Sequence, residues 1–250
     1  MNFTKVEGLS DYLNDLEMFY ISFNSGGYIL RNKELLNSIK LNDVSRFILK
    51  KSVFGTPIFK IGGSGTKVMI LSGVHGNELS SQVASLSLIK ELLNTKLKNA
   101  VYIIPFVAPK STMNNLRMFN FRDLNRAAHI KNSLSNLILN TIKELKITAI
   151  GDFHTTAIKS NPGKEAIFCS KSPSKESFLI ANYISSDIGS DVISYSYAGS
   201  SYKGAIEDEC NLINIPAITG EVVSPFGHVE KGSVERSFLQ MKSFLSYFGI

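Results

Sequence analysis

Short apolar runs separated by stretches of helical periodicity constrain the fold of this chain more than any other feature. The runs KVMILS (67–72), AVYIIPFV (100–107), TAIGDF (148–153) and AITGEVV (217–223) are each bounded by polar or turn residues. They are apolar throughout rather than alternating, which predicts strands covered on both faces. Between them, Leu79, Val83, Leu86 and Leu93 share one helical face, and Leu134, Leu137, Ile138, Thr141, Ile142 and Leu145 form a second stripe. Two more helical patterns run through Phe178, Leu179, Tyr183 and Ile184, and through Val234, Phe238, Met241 and Leu245. Strands alternating with helices predict a single α/β domain with a mostly parallel mixed β-sheet flanked by helices. Upstream of VFGTPIFKIGG (53–63) the pattern is mixed. Two amphipathic helices are expected there, around LSDYLNDLEMF (9–19) and NKELLNSIK (32–40), with the glycine turn NSGGY (24–28) between them. Residues 1–50 are therefore expected to be an N-terminal extension packed on a main domain of residues 51–250.

A chain of 250 residues with 44% hydrophobic content can bury one sizeable core. No apolar run approaches the ~18 residues of a membrane span. The start, MNFTKVEGLSDYLNDLE, lacks a basic residue cluster followed by a hydrophobic stretch, so a cytoplasmic protein with no membrane partner is expected. The two cysteines, Cys169 and Cys210, are too few for a disulfide framework, and neither belongs to a Cys-x-x-Cys pair. The net charge of +6 comes from lysines spread along the whole chain, which suits a solvated surface better than nucleic-acid binding. Arginine is used locally: of six, Arg117, Arg122 and Arg126 fall within ten residues.

The stretch SGVHGNELSS (72–81) places His75 and Glu78 three residues apart, where a buried strand should surface into a loop. His154 in AIGDFHTT and Glu221 in AITGEVV likewise stand at or near predicted strand ends, where parallel sheets bind ligands. Two imidazoles and a carboxylate as ligands, an open position for water and a separate carboxylate as general base make up the inventory of a catalytic zinc site. Each residue also has a plainer reading. Glu221 could pair with a buried lysine, and Asp152 could be either the hydrogen-bond partner of a liganding imidazole or a solvated loop residue. The segment MNNLRMFNFRDLNRAAH (113–129) carries the arginine cluster. Asn125 and Arg126 could hold a substrate carboxylate, because the guanidinium fork binds both oxygens. Arg117 or Arg122 could stabilise an oxyanion, or the arginines could pin the loop to acidic neighbours such as Asp123.

Taken in order, GVHGNE, RDLNR, DFHTT and GEVV resemble the successive motifs of the zinc carboxypeptidase superfamily, in particular its succinylglutamate desuccinylase/aspartoacylase branch. His154 follows His75 by 79 residues and Glu221 follows His154 by 67, intervals similar to those of the deacylase branch. The resemblance covers roughly residues 50 to 245 and implies a zinc-carboxypeptidase-like fold, with 51–250 as the zinc-hydrolase catalytic domain. It implies one Zn2+ per chain held by His75, Glu78 and His154, with Glu221 as general base and later proton donor. Asn125 and Arg126 would be the carboxylate-binding pair and Arg117, eight residues before Asn125, the oxyanion arginine, with Arg122 in reserve. In SYSYAGSSYKGAIEDECN (194–211), where carboxypeptidases place a mobile tyrosine and the floor of the side-chain pocket, Tyr195, Tyr197 and Tyr202 are candidates for the tyrosine. Lys203, Glu207 and Asp208 could read a charged substrate group. Aspartoacylase-like enzymes usually continue into a C-terminal β-rich domain, and with 29 residues after Glu221 none is expected here.

The implied activity is zinc-dependent hydrolysis of an amide bond near a free carboxylate, with an N-acyl amino acid as the first choice of substrate. A metallocarboxypeptidase or amidase acting on short, possibly cell-wall, peptides keeps every catalytic role and changes only the pocket. A non-catalytic metal-binding protein with a retained fold is the alternative of another class. In either hydrolytic reading the partner is a small molecule or short peptide with a free carboxylate.

Overall fold

The computed structural model describes residues 16–250 together with a short strand, β1 (Thr4–Lys5). The remaining strands are β2 (Leu16–Ser22), β3 (Thr56–Gly62), β4 (Lys67–Ser72), β5 (Ala100–Ile104), β6 (Ala149–Thr156), β7 (Ala166–Ser170), β8 (Asp191–Tyr195) and β9 (Ala217–Val223). They form one mixed sheet in the order β1-β2-β3-β5-β4-β6-β9-β7-β8. Its centre, β5-β4-β6-β9, is parallel, as is the β7-β8 pair. The β1-β2-β3-β5 side and the β9-β7 junction are antiparallel.

The helices are α1 (Lys33–Ser38), α2 (Asp43–Ser52), α3 (Leu79–Leu93), α4 (Pro109–Met113), α5 (Leu134–Leu145), α6 (Lys175–Ile188), α7 (Ile206–Leu212) and α8 (Ser233–Tyr247). The sheet divides the interior into two cores. Val68 and Ile70 of β4 with Val101 and Ile103 of β5 pack among residues of α2, α3, α6 and α8. Their neighbours Met69, Leu71, Tyr102 and Ile104 face the other way, onto Leu134, Ile138 and Ile142 of α5 and Ile206 of α7. Coverage of both faces is why the central strands are continuously apolar, and the α5 stripe expected from sequence is the face that closes the second core.

One local expectation changes and another holds. Leu16–Phe19, expected to end an amphipathic helix, instead begin β2, paired antiparallel with β3 from Leu16 against Ile61. Leu16 and Met18 are buried while Glu17 reaches across to Lys60 at 2.8 Å, so the operative period is two rather than 3.6. Residues 9–15 of that expected helix lie outside the described residues. The second expected helix is α1, whose N-cap Asn32 accepts the Leu35 N–H. Helix α2 begins with a reciprocal cap between Asn42 and Ser45, a signal that hydrophobic periodicity alone does not register. Among the described residues no helix is long and apolar enough to cross a membrane.

Candidate active site

After β4 ends at Ser72 the chain turns through Gly73 to Glu78, which caps α3. Gly76 has no room for a side chain, since a Cβ there would lie 2.3 Å from the carbonyl carbon of Ser111. The loop is therefore wedged against α4. Gln82 of α3 fixes it further: its Nε2 donates to the Glu78 carbonyl at 2.8 Å, and its Oε1 accepts from Thr112 Oγ1 at 2.9 Å. His154 lies within β6, two residues before its end, rather than just beyond the strand. In the parallel register of β6 with β9, His154 is directly opposite Glu221 and Asp152 is opposite Thr219. Because alternate residues share a face, these four side chains form one patch.

The two imidazoles converge on one carboxylate. His75 Nδ1 lies 2.8 Å from Glu78 Oε1, and His154 Nδ1 lies 2.7 Å from Glu78 Oε2. Ligand atoms of His75, Glu78 and His154 all lie within 4.8 Å of one another, and all three residues are buried. The far ring nitrogens meet other carboxylates. His75 Nε2 is 2.9 Å from Asp123 Oδ1, and His154 Nε2 is 3.1 Å from Asp152 Oδ2, close but out of line for a hydrogen bond. Asp152 is fully buried, which removes its reading as a solvated loop residue. Two nitrogens and a carboxylate, each imidazole with an acid at its far nitrogen, are a donor set suited to zinc.

Electrostatics follow from this crowding. Burial opposes ionisation of Glu78, but His75 and His154 outweigh it and hold the carboxyl well below the usual carboxylate range. Burial likewise disfavours the His154 imidazolium, yet Asp152 and Glu78 keep it well above the ordinary histidine value. Partial burial works against ionisation of Asp123 as well, but His75, Arg117 and the Asn125 N–H hold its carboxyl well below the usual range. Glu221 goes the other way: burial first, then Glu78 and Asp152, push it up to about 8 despite His154 and Arg117. Its Oε2 is sealed from solvent without a hydrogen-bond partner. No lysine or arginine pairs with it among the described residues, which removes the lysine-partner reading.

A cavity of about 450 Å³ opens over this patch, lined by His75, Glu78, Glu221, Arg117, Asn125, Arg126 and Tyr202 among others. Arg117, its side chain 40% exposed, reaches from the rim to Glu78 Oε1 at 3.1 Å and Asp123 Oδ2 at 3.3 Å. The short turn Leu124–Arg126 presents Asn125 and Arg126, and Asp123 caps it by accepting the Asn125 N–H. The Arg126 guanidinium lies over the Tyr202 ring, 4.9 Å from its centroid. Gly204 packs directly on the Arg126 carbonyl, where a Cβ would come within 2.6 Å, and so joins the arginine loop to the segment before α7.

Other sequence candidates fall outside the cavity lining. Arg122 is exposed in a tight turn, its backbone paired with Phe119. Tyr197 and Lys203 are exposed. Tyr195 stacks on Phe168 and meets Tyr202 edge-on. Asp208 is buried behind the wall, accepting the N–H groups of Gly199 and Tyr202. Its neighbour Glu207 does line the cavity. Sequence reasoning did not assign Asp123 its contact with His75, although its place in RDLNR two residues before Asn125 was a usable signal. Thr155, Thr156, Ser160, Asn161, Phe168, Thr219 and Phe226 also line the cavity, and nothing in their local pattern distinguishes them.

Residues 64–224, more than half of the chain, match the model of the succinylglutamate desuccinylase/aspartoacylase catalytic domain. A search of curated proteins by sequence found no significant match. Among solved structures the chain is similar to an aspartoacylase family protein from Mesorhizobium loti (16% identity, TM-score 0.61, covering 78% of this chain and 62% of that one). It is similar also to a metallo-carboxypeptidase from Burkholderia cenocepacia (15%, 0.62, 77% and 60%). A third is a succinylglutamate desuccinylase/aspartoacylase from Rhodobacter sphaeroides (18%, 0.58, 80% and 61%). At these identities the likeness is one of fold, and the chain spans about three fifths of the length of each.

Proposed function

The chain belongs to the succinylglutamate desuccinylase/aspartoacylase catalytic-domain family, and from that premise we propose that it is a zinc-dependent hydrolase that cleaves an amide bond near a free carboxylate, with N-acyl amino acids as substrates. The observation that carries this reading is the meeting, in one cavity, of a buried His75-Glu78-His154 donor set, the unpaired carboxylate of Glu221 and the Asn125-Arg126 pair.

His75, Glu78 and His154 would hold one zinc ion. When bound, the metal supplies Lewis acidity and makes water a nucleophile near neutral pH. Asp123 and Asp152 steady the two imidazoles from behind. Glu221 stands beside the ligands with no partner of its own, placed to take a proton from water and to return it to the leaving amine. Arg126 and Asn125 bind the substrate carboxylate and so fix the scissile bond relative to Glu221. Arg117, already at the rim beside Glu78, supplies a donor to the carbonyl oxygen as charge builds on it.

The test combines metal content with turnover. Purified protein should bind one zinc per chain and release free amine from N-acyl amino acids; chelation should abolish release and zinc should restore it. Stoichiometric zinc without amine release from any N-acyl amino acid or short peptide would refute the hydrolase reading and favour a metal-binding role.

A further inference from the structure

Glu207, one of the residues that the sequence offered for reading a charged substrate group, has no part in the hydrolytic chemistry assigned above. It lies in the first turn of α7, is only 5% exposed, and lines the same cavity as Glu221 and Arg126. One oxygen, Oε1, accepts from Asn211 Nδ2 at 2.5 Å. Asn211 is itself clamped to the start of β9, donating to the Ala217 carbonyl at 2.9 Å and accepting the Ala217 N–H at 3.0 Å. The carboxyl group of Glu207 is therefore held in place by the sheet and is not a mobile surface acid.

Burial first, and the neighbouring Asp208 next, push the Glu207 carboxyl well above the usual carboxylate range. Among the described residues no lysine or arginine forms an ion pair with Glu207 or with the adjacent buried Asp208, whose Oδ2 is also unpartnered. A buried carboxylate without a countercharge is costly, and an apolar side chain would fill the space more cheaply. Around it the cavity offers Phe168, Tyr202 and Ala205, surfaces suited to a methylene chain. The same cavity also presents Asn125 and Arg126, suited to a carboxylate. The cavity thus combines cationic donors, an apolar stretch and a fixed buried acid.

We propose that Glu207 determines specificity, selecting substrates whose amino-acid portion carries a cationic side chain, so that the preferred leaving group is a dibasic amino acid of the lysine, ornithine or arginine type. The inference rests on the hydrolase reading and names its substrate class. The substrate carboxylate pairs with Arg126 and Asn125, its aliphatic stem lies along Phe168, Tyr202 and Ala205, and its terminal ammonium or guanidinium supplies the countercharge that favours the ionised form of Glu207.

The experiment uses zinc-loaded protein and Nα-acetyl derivatives of L-lysine, L-arginine, L-leucine, L-glutamine and L-glutamate. In parallel, binding of free L-lysine, L-leucine and L-glutamate is measured by calorimetry. Lysine and arginine derivatives should exceed the others in kcat/KM by about tenfold or more, mainly through KM. Glu207→Gln, which keeps the shape and the Asn211 contact, should erase most of that preference while leaving the leucine derivative little changed; Glu207→Arg should move the preference toward glutamate. Equal turnover of lysine, leucine and glutamate derivatives by the unmodified protein would overturn the proposal and leave the hydrolase reading intact. So would a Glu207→Gln variant that loses activity equally on all. If nothing is hydrolysed, the hydrolase reading fails and binding decides: selective lysine binding weakened by Glu207→Gln sustains the proposal, and binding without preference overturns it.

Discussion

Replacing Glu221 with glutamine separates a catalytic carboxylate from a structural one. In the metal-free protein the Glu221 carboxyl is pushed from 4.5 to about 8, by burial first and by Glu78 and Asp152 next. A carboxyl raised in this way favours the folded state below its unfolded value, and that contribution is lost as pH rises through the folded value. The metal-free protein should therefore lose stability between about pH 5 and 8. A shift of this size at ~1.4 kcal/mol per unit sets a ceiling of about 5 kcal/mol. Glu221 is partly exposed to the cavity, and solvent there should reduce the effect to about 2–3 kcal/mol. Glutamine keeps the shape and removes the charge. At pH 8.5 the chelated Glu221→Gln protein should melt about 5–10 °C above the unmodified one, and at pH 5 the two should nearly coincide, taking ~2–4 °C per kcal/mol for a chain of this size. Because Glu221 is not in the donor set, the variant should still bind one zinc per chain, and turnover should fall by ~10²- to 10⁴-fold. Calorimetric melting at the two pH values, metal analysis and an amine-release assay on one preparation cover all of these. A variant that melts lower at both pH values and keeps activity in proportion to its folded fraction would refute the reasoning, since a buried ion-pair partner costs ~3–5 kcal/mol when its mate is left unpaired.

Four further substitutions probe other parts of the account. His154→Ala removes one nitrogen donor and should abolish stoichiometric zinc, and unchanged metal content would refute the ligand set. Arg126→Ala should weaken turnover of N-acyl amino acids by about 10- to 100-fold and spare the matching carboxamides, as expected for a lost charged hydrogen bond. Arg117→Ala should slow both substrate types by on the order of 100-fold; the same pattern from both arginine variants would merge the two roles. Away from the cavity, the Arg236 guanidinium donates through Nε and Nη2 to the two oxygens of Glu165, whose partial burial is outweighed by Arg236 and Ser190 so that its carboxyl lies below the usual range. That stability is present above the ordinary carboxylate value and lost as pH falls through the lowered one. Arg236→Ala should accordingly cost about 1–3 kcal/mol at pH 7 by denaturant titration and clearly less at pH 3.

The parallel centre of the sheet and the metal-competent residues were legible in the sequence for a common reason. Strands covered on both faces must be apolar along their length, so His75, His154 and Glu221 stand out as polar groups that an otherwise apolar pattern does not require. The α5 stripe was legible because only one face of that helix meets the sheet. Strand β2 was not, since LEMF fits either period and only its pairing with β3 selects two. The short β7 and β8 and helix α7 carry too few residues for a period to show. Within the site, Asp123 is brought in by a contact 48 residues away in sequence, with His75. Thr219 and Phe168 join the cavity only because β9 lies between β6 and β7. The position of Glu207 at the wall, with Asp208 behind it, depends on how α7 is tied to β9 through Asn211, a tertiary contact that no local pattern encodes.

Amine release by zinc-loaded protein from N-acyl amino acids, measured beside the same compounds with the free carboxylate converted to the carboxamide, tests the central claim most directly. The account predicts release from the acids, about 10- to 100-fold slower release from the carboxamides, and none from either once zinc is removed. Equal rates on acids and carboxamides, or release that persists after the metal is stripped, would contradict it.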